Sequence, residues 1–358
     1  MLGPEAALAA GRWVKLIGGA SNQDLASIED LTGIYALAGV HCIDVAADAA
    51  VVAAARRGLR WAAQRCRGRP PEAAPWLMVS LNDGADPHFR KAWFDPRCCP
   101  ADCLRPCERV CPAQAIPAAP EGLGVLSERC YGCGRCLPAC PLGLIVEHPY
   151  SLAPEAVAPL LAELAPDAVE LHTRLGRSAA FAARLEQLQA SGVSLRRLSV
   201  SCGLEMEGGE GAPTPEELAA ELVERHRQVL RAGFRPLWQL DGRPMSGDVG
   251  AGTAHAAVRL LQRLLPLAPP GPLQLAGGTN DRTLPLLERL GAAGDRACGV
   301  AFGSEARHRL QPLLLEAQAR GRRLLDLPDL LPPALEAAAA LVSPWLRRRR
   351  FSTIIPSG

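Results

Sequence analysis

The chain has 358 residues, 48% hydrophobic and only 4% aromatic, so it can bury a large core without disulfide staples. Alanine and leucine dominate, which suits helix-rich α/β packing better than a β-sandwich. A net charge of +2 excludes the broad basic field of a dedicated nucleic-acid binder.

The opening segment, residues 1–13, has no basic leader and carries Glu5 within its apolar run, so a secretory signal is not expected. No run of about 18 apolar residues suggests a transmembrane helix. A cytoplasmic, reducing location is the expectation, and it disfavours a disulfide framework. From Trp13 onward, strand-like and helix-like segments alternate. WVKLIGG (13–19) is followed by helical periodicity over 24–39, and HCIDVAA (41–47) by a helix starting at Asp48. WLMVSLND (76–83) is the third strand-like run. Five more follow the cysteine-rich stretch, at 167–173, 195–203, 235–242, 271–280 and 296–303. Between the second and third of these five, Thr214 stands as N-cap of a helix beginning at Pro215.

Eight such units predict a (β/α)8 TIM-like barrel, with an open doubly wound α/β sheet as the alternative fold. Residues 12–83 supply the first three units and 84–149 an inserted ferredoxin-like module. Residues 150–330 supply the remaining units, and 331–358 a C-terminal helix and basic tail. The segments 86–96 and 147–154, rich in proline and aromatics, fit entry and exit linkers of the insertion. Arg347–Arg350 fits a solvated tail, or else a contact for an acidic partner or anionic surface.

The insertion holds nine of the 13 cysteines. Cys130-x2-Cys133-x2-Cys136-x3-Cys140-Pro141 is the bacterial ferredoxin spacing, in which three thiolates cap a cubane and the fourth reaches a second cluster. Zinc would call for two separated pairs. A second run, Cys99, Cys103, Cys107 and Cys111, also ends in proline, at Pro112, and CPAQAI (111–116) repeats as CPLGLI (140–145). The crossed arrangement assigns Cys130, Cys133, Cys136 and Cys111 to one cluster. It assigns Cys99, Cys103, Cys107 and Cys140 to the other. Two 4Fe-4S clusters are expected. The looser spacing of the first run leaves a 3Fe-4S form open there, and Cys98 is an alternative ligand to Cys99. The scattered Cys42, Cys66, Cys202 and Cys298 fit small buried hydrophobes.

In a barrel, chemistry lies at the C-terminal strand ends, which here carry Lys15, Asn22, Asp44, Asp48, Asn82, Asp83, His172, Arg174, Glu205 and Asp241. Lys15 fits an interior charge paired with Asp44 or Asp241 better than a catalytic amine. His172 beside Glu170 fits either a proton shuttle or a structural pair. The loops after the last two strands offer Gly277, Gly278, Gly303 and Ser304 as a phosphate site, or simply as tight turns. No assignable acid–base set emerges.

GRWVKLIGGASNQDL (11–25), YALAGVHCIDVAAD (35–48) and the paired cysteine runs resemble the cyanobacterial LdpA (light-dependent period) family over nearly the whole chain. The resemblance implies an iron–sulfur redox-sensing regulator that couples light and electron-transport state to the circadian clock. It implies partners among clock-input proteins; a redox-sensing role of the clusters would further call for a redox partner such as ferredoxin or the quinone pool. The alternative is a barrel oxidoreductase whose two clusters pass electrons to a small phosphorylated substrate or a flavin.

Overall fold

Eight parallel strands close into a barrel in this computed structural model, which describes residues 2–19, 24–66, 68, 70–117, 124–204, 213–243 and 250–351. In chain order the strands are β1 (Trp13–Gly19), β2 (Cys42–Ala46), β3 (Trp76–Asn82), β4 (Arg90–Trp93), β5 (Val146–Pro149), β6 (Ala168–His172), β7 (Arg197–Cys202), β8 (Pro236–Asp241), β9 (Leu273–Ala276) and β10 (Ala297–Phe302). All but β4 and β5 belong to the barrel, which closes where β1 pairs with β10. The barrel strands are buried almost along their whole length, as expected for a parallel sheet covered by helices. Asn22, Glu205 and the tail beyond Phe351 lie outside the described residues.

Helix ends follow the local chemistry. Asp48 accepts from the N–H groups of Ala50 and Val51 to start the helix Ala49–Arg65. Thr214 and Glu217 form a reciprocal capping box ahead of Pro215–Arg231.

The insertion leaves the barrel after β3 and returns before β6. Its flanks are not plain linkers: β4 and β5 pair antiparallel, Arg90 opposite Pro149 and Trp93 opposite Val146. Pro149 is tolerated because its position in the ladder needs no N–H donor: the neighbouring bond runs from Tyr150 N to the Phe89 carbonyl.

The opposite, N-terminal end of the barrel is sealed. The helix Pro4–Ala10 brings Leu8 over Trp13, Cys42, Trp76, Met78, Ala168, Leu237 and Cys298. The basic tail is not simply solvated, because Arg348 is 4% exposed. It donates to the carbonyls of Gly11 (3.0 Å), Ala297 (2.9 Å) and Gly294 (2.8 Å) and lies 3.5 Å from Asp295. These carbonyls end elements beneath the barrel, and one guanidinium serves all three. Arg349 and Phe351 stay exposed. Cys42, Cys202 and Cys298 are buried, whereas Cys66 is only half-buried, at the end of its helix.

Candidate functional site

The cysteine module is built on a two-fold internal repeat that the backbone preserves. In the first half Arg105 and Gln114 take positive φ (48° and 49°). At the matching offsets of the second half stand Gly134 and Gly143 (75° and 63°). Each half then turns a backbone N–H onto its last sulfur: Ala115 N to Cys111 Sγ at 3.2 Å, and Leu144 N to Cys140 Sγ at 3.4 Å. Ile116 and Ile145 are both buried in the module's core, against Phe94, Cys107, Cys130 and Cys136. Positive φ is cheap for glycine, so the strain sits in the half that lacks it.

The thiols gather across the repeat. Burial pushes the Cys136 thiol up to about 12, and the nearby thiols of Cys130, Cys133 and Cys111 push the same way. One cavity is lined by these four cysteines, with Gly132 and Gly134 in its wall. Cys99 is raised by burial and by neighbouring Cys103, with Cys140 contributing, while Arg105 opposes. Cys107 is raised by burial and by Cys140, against the Glu108 N–H and Arg105. Burial also works upward on Cys140, but backbone N–H groups of Leu144, Leu142, Ile145 and Gly143 outweigh it and hold the thiol below its ordinary value. Cys98 is exposed, whereas Cys99 packs on the module's core. An all-thiol donor set with N–H groups aimed at sulfur fits an iron–sulfur group, whose electronics depend on such hydrogen bonds.

Inside the barrel a charged chain runs toward the same face. Lys15 Nζ lies 2.9 Å from Asp44 Oδ2 and also contacts Glu170. Burial disfavours its charge, but the two carboxylates outweigh burial and hold it protonated well above the ordinary lysine range. Lys15 therefore pairs with Asp44 and Glu170. Asp241 instead accepts from Ser201, and burial and the charge of Glu170 push its carboxyl up to about 6. Glu170 also accepts from Ser199 (3.0 Å) and Gln239 (2.6 Å). Burial would raise its carboxyl, yet Lys15 and His172 hold it below the ordinary range. His172 Nε2 sits 3.2 Å from Glu170 Oε1 and its Nδ1 3.7 Å from Asp86 Oδ2. Asp86 Oδ1 in turn lies 2.8 Å from His88 Nδ1. Asp86 and His88 were not legible as site residues, because they fall in the presumed linker. Their signal was only an Asp-Pro-His at the end of the third strand.

The other strand-end residues have local roles. Asn82 donates to the carbonyls of Gly84 and Tyr150. Asp83 pairs with Arg177 at 3.3 Å. Arg225 donates to the Arg174 carbonyl. Gly277 and Gly278 both take positive φ (66° and 86°). A Cβ on Gly277 would meet the backbone nitrogen of Arg243 at 2.8 Å, and one on Gly278 the Thr253 carbonyl oxygen at 3.0 Å. The tight turn they make favours glycine at both positions. Gly303 precedes the helix Ser304–Ala319, with Ser304 Oγ 3.5 Å from Arg307. A cavity of about 650 Å³ opens between barrel and insertion, lined among others by Asp48, Asn82, Lys91, Tyr131 and Tyr150. Tyr131 also walls the cavity of Cys130, Cys133 and Cys136.

Comparison with known proteins bears on this arrangement. Residues 99–151 match the family described as "LdpA Fe-S cluster-binding domain", and 160–344 match "Light dependent period A C-terminal domain". The chain is 46% identical over 345 residues to "Light dependent period A" of Synechococcus elongatus, covering 95% of this chain and 93% of that protein. Among solved structures, tryptophan synthase subunit alpha from Legionella pneumophila is similar with a TM-score of 0.43 at 12% identity, covering 97% of this chain and 98% of that one. The carboxyl transferase domain of Rhizobium etli pyruvate carboxylase is similar with a TM-score of 0.45 at 11% identity, covering 95% and 50%. With an iron–sulfur-binding segment set into a closed barrel and a relative matched over nearly the full length, the chain belongs to the light-dependent period A (LdpA) family.

Proposed function

We propose that the protein is a cytoplasmic redox-sensing regulator that couples light and electron-transport state to the circadian clock through two 4Fe-4S clusters. Cys111, Cys130, Cys133 and Cys136 hold one cluster. Cys99, Cys103, Cys107 and Cys140 hold the other, which is open to a three-iron form. Its partners are clock-input proteins, with ferredoxin or the quinone pool as electron source. The observation that carries the reading is the grouping of thiols across the repeat, right beside exposed apolar side chains. Leu104 (80% exposed), Val110 and Leu142 each stand within two residues of Cys103, Cys111 or Cys140. A partner docking on these side chains would meet the cysteine loops directly.

A sensor needs a ligand or partner that binds its two states differently. One electron changes the charge of a cluster by one unit, and the N–H groups aimed at Cys111 and Cys140 feel that change directly. Partner affinity should therefore differ between oxidised and reduced protein. The test is an anaerobic redox titration followed by EPR, with iron and sulfide counted, and partner binding measured at both ends of the titration. About eight irons and a state-dependent affinity support the reading. Equal affinity in both states refutes the sensor, and a zinc-only content refutes the clusters.

The cavity against Tyr131 favours a second reading, a barrel oxidoreductase passing electrons to a flavin or a small phosphorylated substrate; Gly277, Gly278, Gly303 and Ser304 lie outside that cavity's lining and would be a separate phosphate cradle. Flavin absorbance in the purified protein, or a rise in melting temperature with phosphorylated metabolites, would support it. Neither effect appearing would remove it.

A further inference from the structure

We propose that Asp86, His88 and His172 form a binding site for one divalent first-row transition-metal ion at the barrel mouth, separate from the cysteines. Donor atoms of the three residues lie within 4.8 Å of one another. The Asp86 carboxylate bridges the two rings, one oxygen 2.8 Å from His88 Nδ1 and the other 3.7 Å from His172 Nδ1. Two imidazoles and one carboxylate on one side of an ion leave further positions open, and this donor set suits iron, zinc or manganese in the divalent state.

A second observation points the same way. Metal-ligating histidines are almost always held by a hydrogen bond from the far ring nitrogen to a carboxylate or carbonyl, which fixes tautomer and orientation. His172 has this arrangement. Its Nδ1 faces Asp86, while its Nε2 is 3.2 Å from the buried Glu170. Phe89 packs edge-on against the same ring (5.0 Å, 80°) and limits its rotation. Asp241, at the end of β8 two strands along the barrel from β6, adds a further carboxylate whose charge interacts with both histidines.

The position matters too. Asp86 and His88 lie on the segment leading from β3 into the insertion, and His172 ends β6, the strand that follows it. An ion here would tie the root of the cluster module to the barrel wall, at the face where barrel chemistry is done. Without an ion, the same atoms can be held by protons on the imidazoles. The experiment must separate these two arrangements, and must also exclude metal held by thiols.

The test uses the anaerobic holoprotein, with iron and sulfide counted before and after, and Zn2+ as the probe. Binding is titrated calorimetrically and the loaded sample is measured at the zinc K-edge. The expected result is one zinc per chain, a purely nitrogen and oxygen first shell with Zn–N about 2.0–2.1 Å, and unchanged iron and sulfide. His88→Ala, at a ring about one third exposed (35%), should weaken binding at least about tenfold while keeping its clusters. Asp86→Asn, which keeps the side chain's shape, should do the same. Glu170→Gln touches no ion and should cost roughly 10- to 100-fold in affinity through His172 orientation. A sulfur shell at about 2.3 Å, no stoichiometric uptake by the parent, or undiminished affinity in both His88→Ala and Asp86→Asn would overturn the proposal.

Discussion

Replacing Lys15 by methionine tests whether the barrel interior is held by charge. Lys15 is fully buried, 2.9 Å from Asp44 Oδ2 and hydrogen-bonded to Glu170, so its removal strands two carboxylates that have no access to water. Removing one partner of a buried pair typically costs about 3–5 kcal/mol, most of it the penalty on the charge left behind. Unfolding entropy of about 2.1 cal/mol/K per residue gives roughly 0.75 kcal/mol/K for a chain of this size, so the loss corresponds to a fall of about 4–7 °C in melting temperature. Urea unfolding under anaerobic conditions is the assay, with the midpoint read at constant slope. Lys15→Met/Glu170→Gln should lose less than the sum of its two single variants, because each neutralises what the other strands. A Lys15→Met protein within about 1 kcal/mol of the parent, or strict additivity in the double variant, would refute the reasoning. The interior would then tolerate the stranded carboxylates by protonation or by water.

The crossing of the cluster ligands has its own test. Cys111→Ser should change the EPR signal of the cluster on Cys130, Cys133 and Cys136, and Cys140→Ser that of the other cluster. The reverse assignment would sink the crossed arrangement. Cys98→Ser should leave iron and sulfide counts unchanged, whereas Cys99→Ser should lower them. Arg348→Ala removes three buried charge-assisted hydrogen bonds to carbonyls, of which the Gly294 oxygen keeps a second donor in the Ala297 N–H, and should cost roughly 3 kcal/mol in urea unfolding. Arg349→Ala, at an exposed position, should stay within about 0.5 kcal/mol. A large effect of Arg349 and none of Arg348 would contradict the sealing role. Leu104→Ser and Leu142→Ser should weaken partner binding with cluster content intact, and unchanged binding would move the docking surface elsewhere.

Most of the barrel was legible, because buried parallel strands such as WLMVSLN (76–82) are continuous apolar runs bounded by turn residues. The cysteine repeat was legible from spacing alone. What escaped were features set by partners far along the chain. The β4–β5 ribbon joins residues more than 50 positions apart, and neither half alternates clearly enough to stand out. Arg348 looked like surface charge, because its three carbonyl partners come from residues 11, 294 and 297. Pairing of Lys15 with Asp44 was one of two alternatives, but the share of Glu170 depends on barrel closure. His88 had only the short Asp-Pro-His at 86–88 as a signal, which gains meaning once folding brings His172 beside it.

The β4–β5 ribbon has one more consequence, for how the chain tolerates damage. It fastens the two ends of the insertion side by side, so the barrel meets the whole module as though it were a short hairpin. Closing a long loop costs entropy that grows only as the logarithm of its length, and here the ribbon's own ladder and the Arg90–Glu147 ion pair (3.1 Å) help offset that cost. If oxygen strips the iron and the cysteine loops collapse, this ribbon should keep the ends fastened and leave the eight-strand closure undisturbed. The module that carries the cysteines could then fail and be rebuilt while the scaffold stays folded, a useful division of labour if it holds the perishable iron–sulfur groups proposed above.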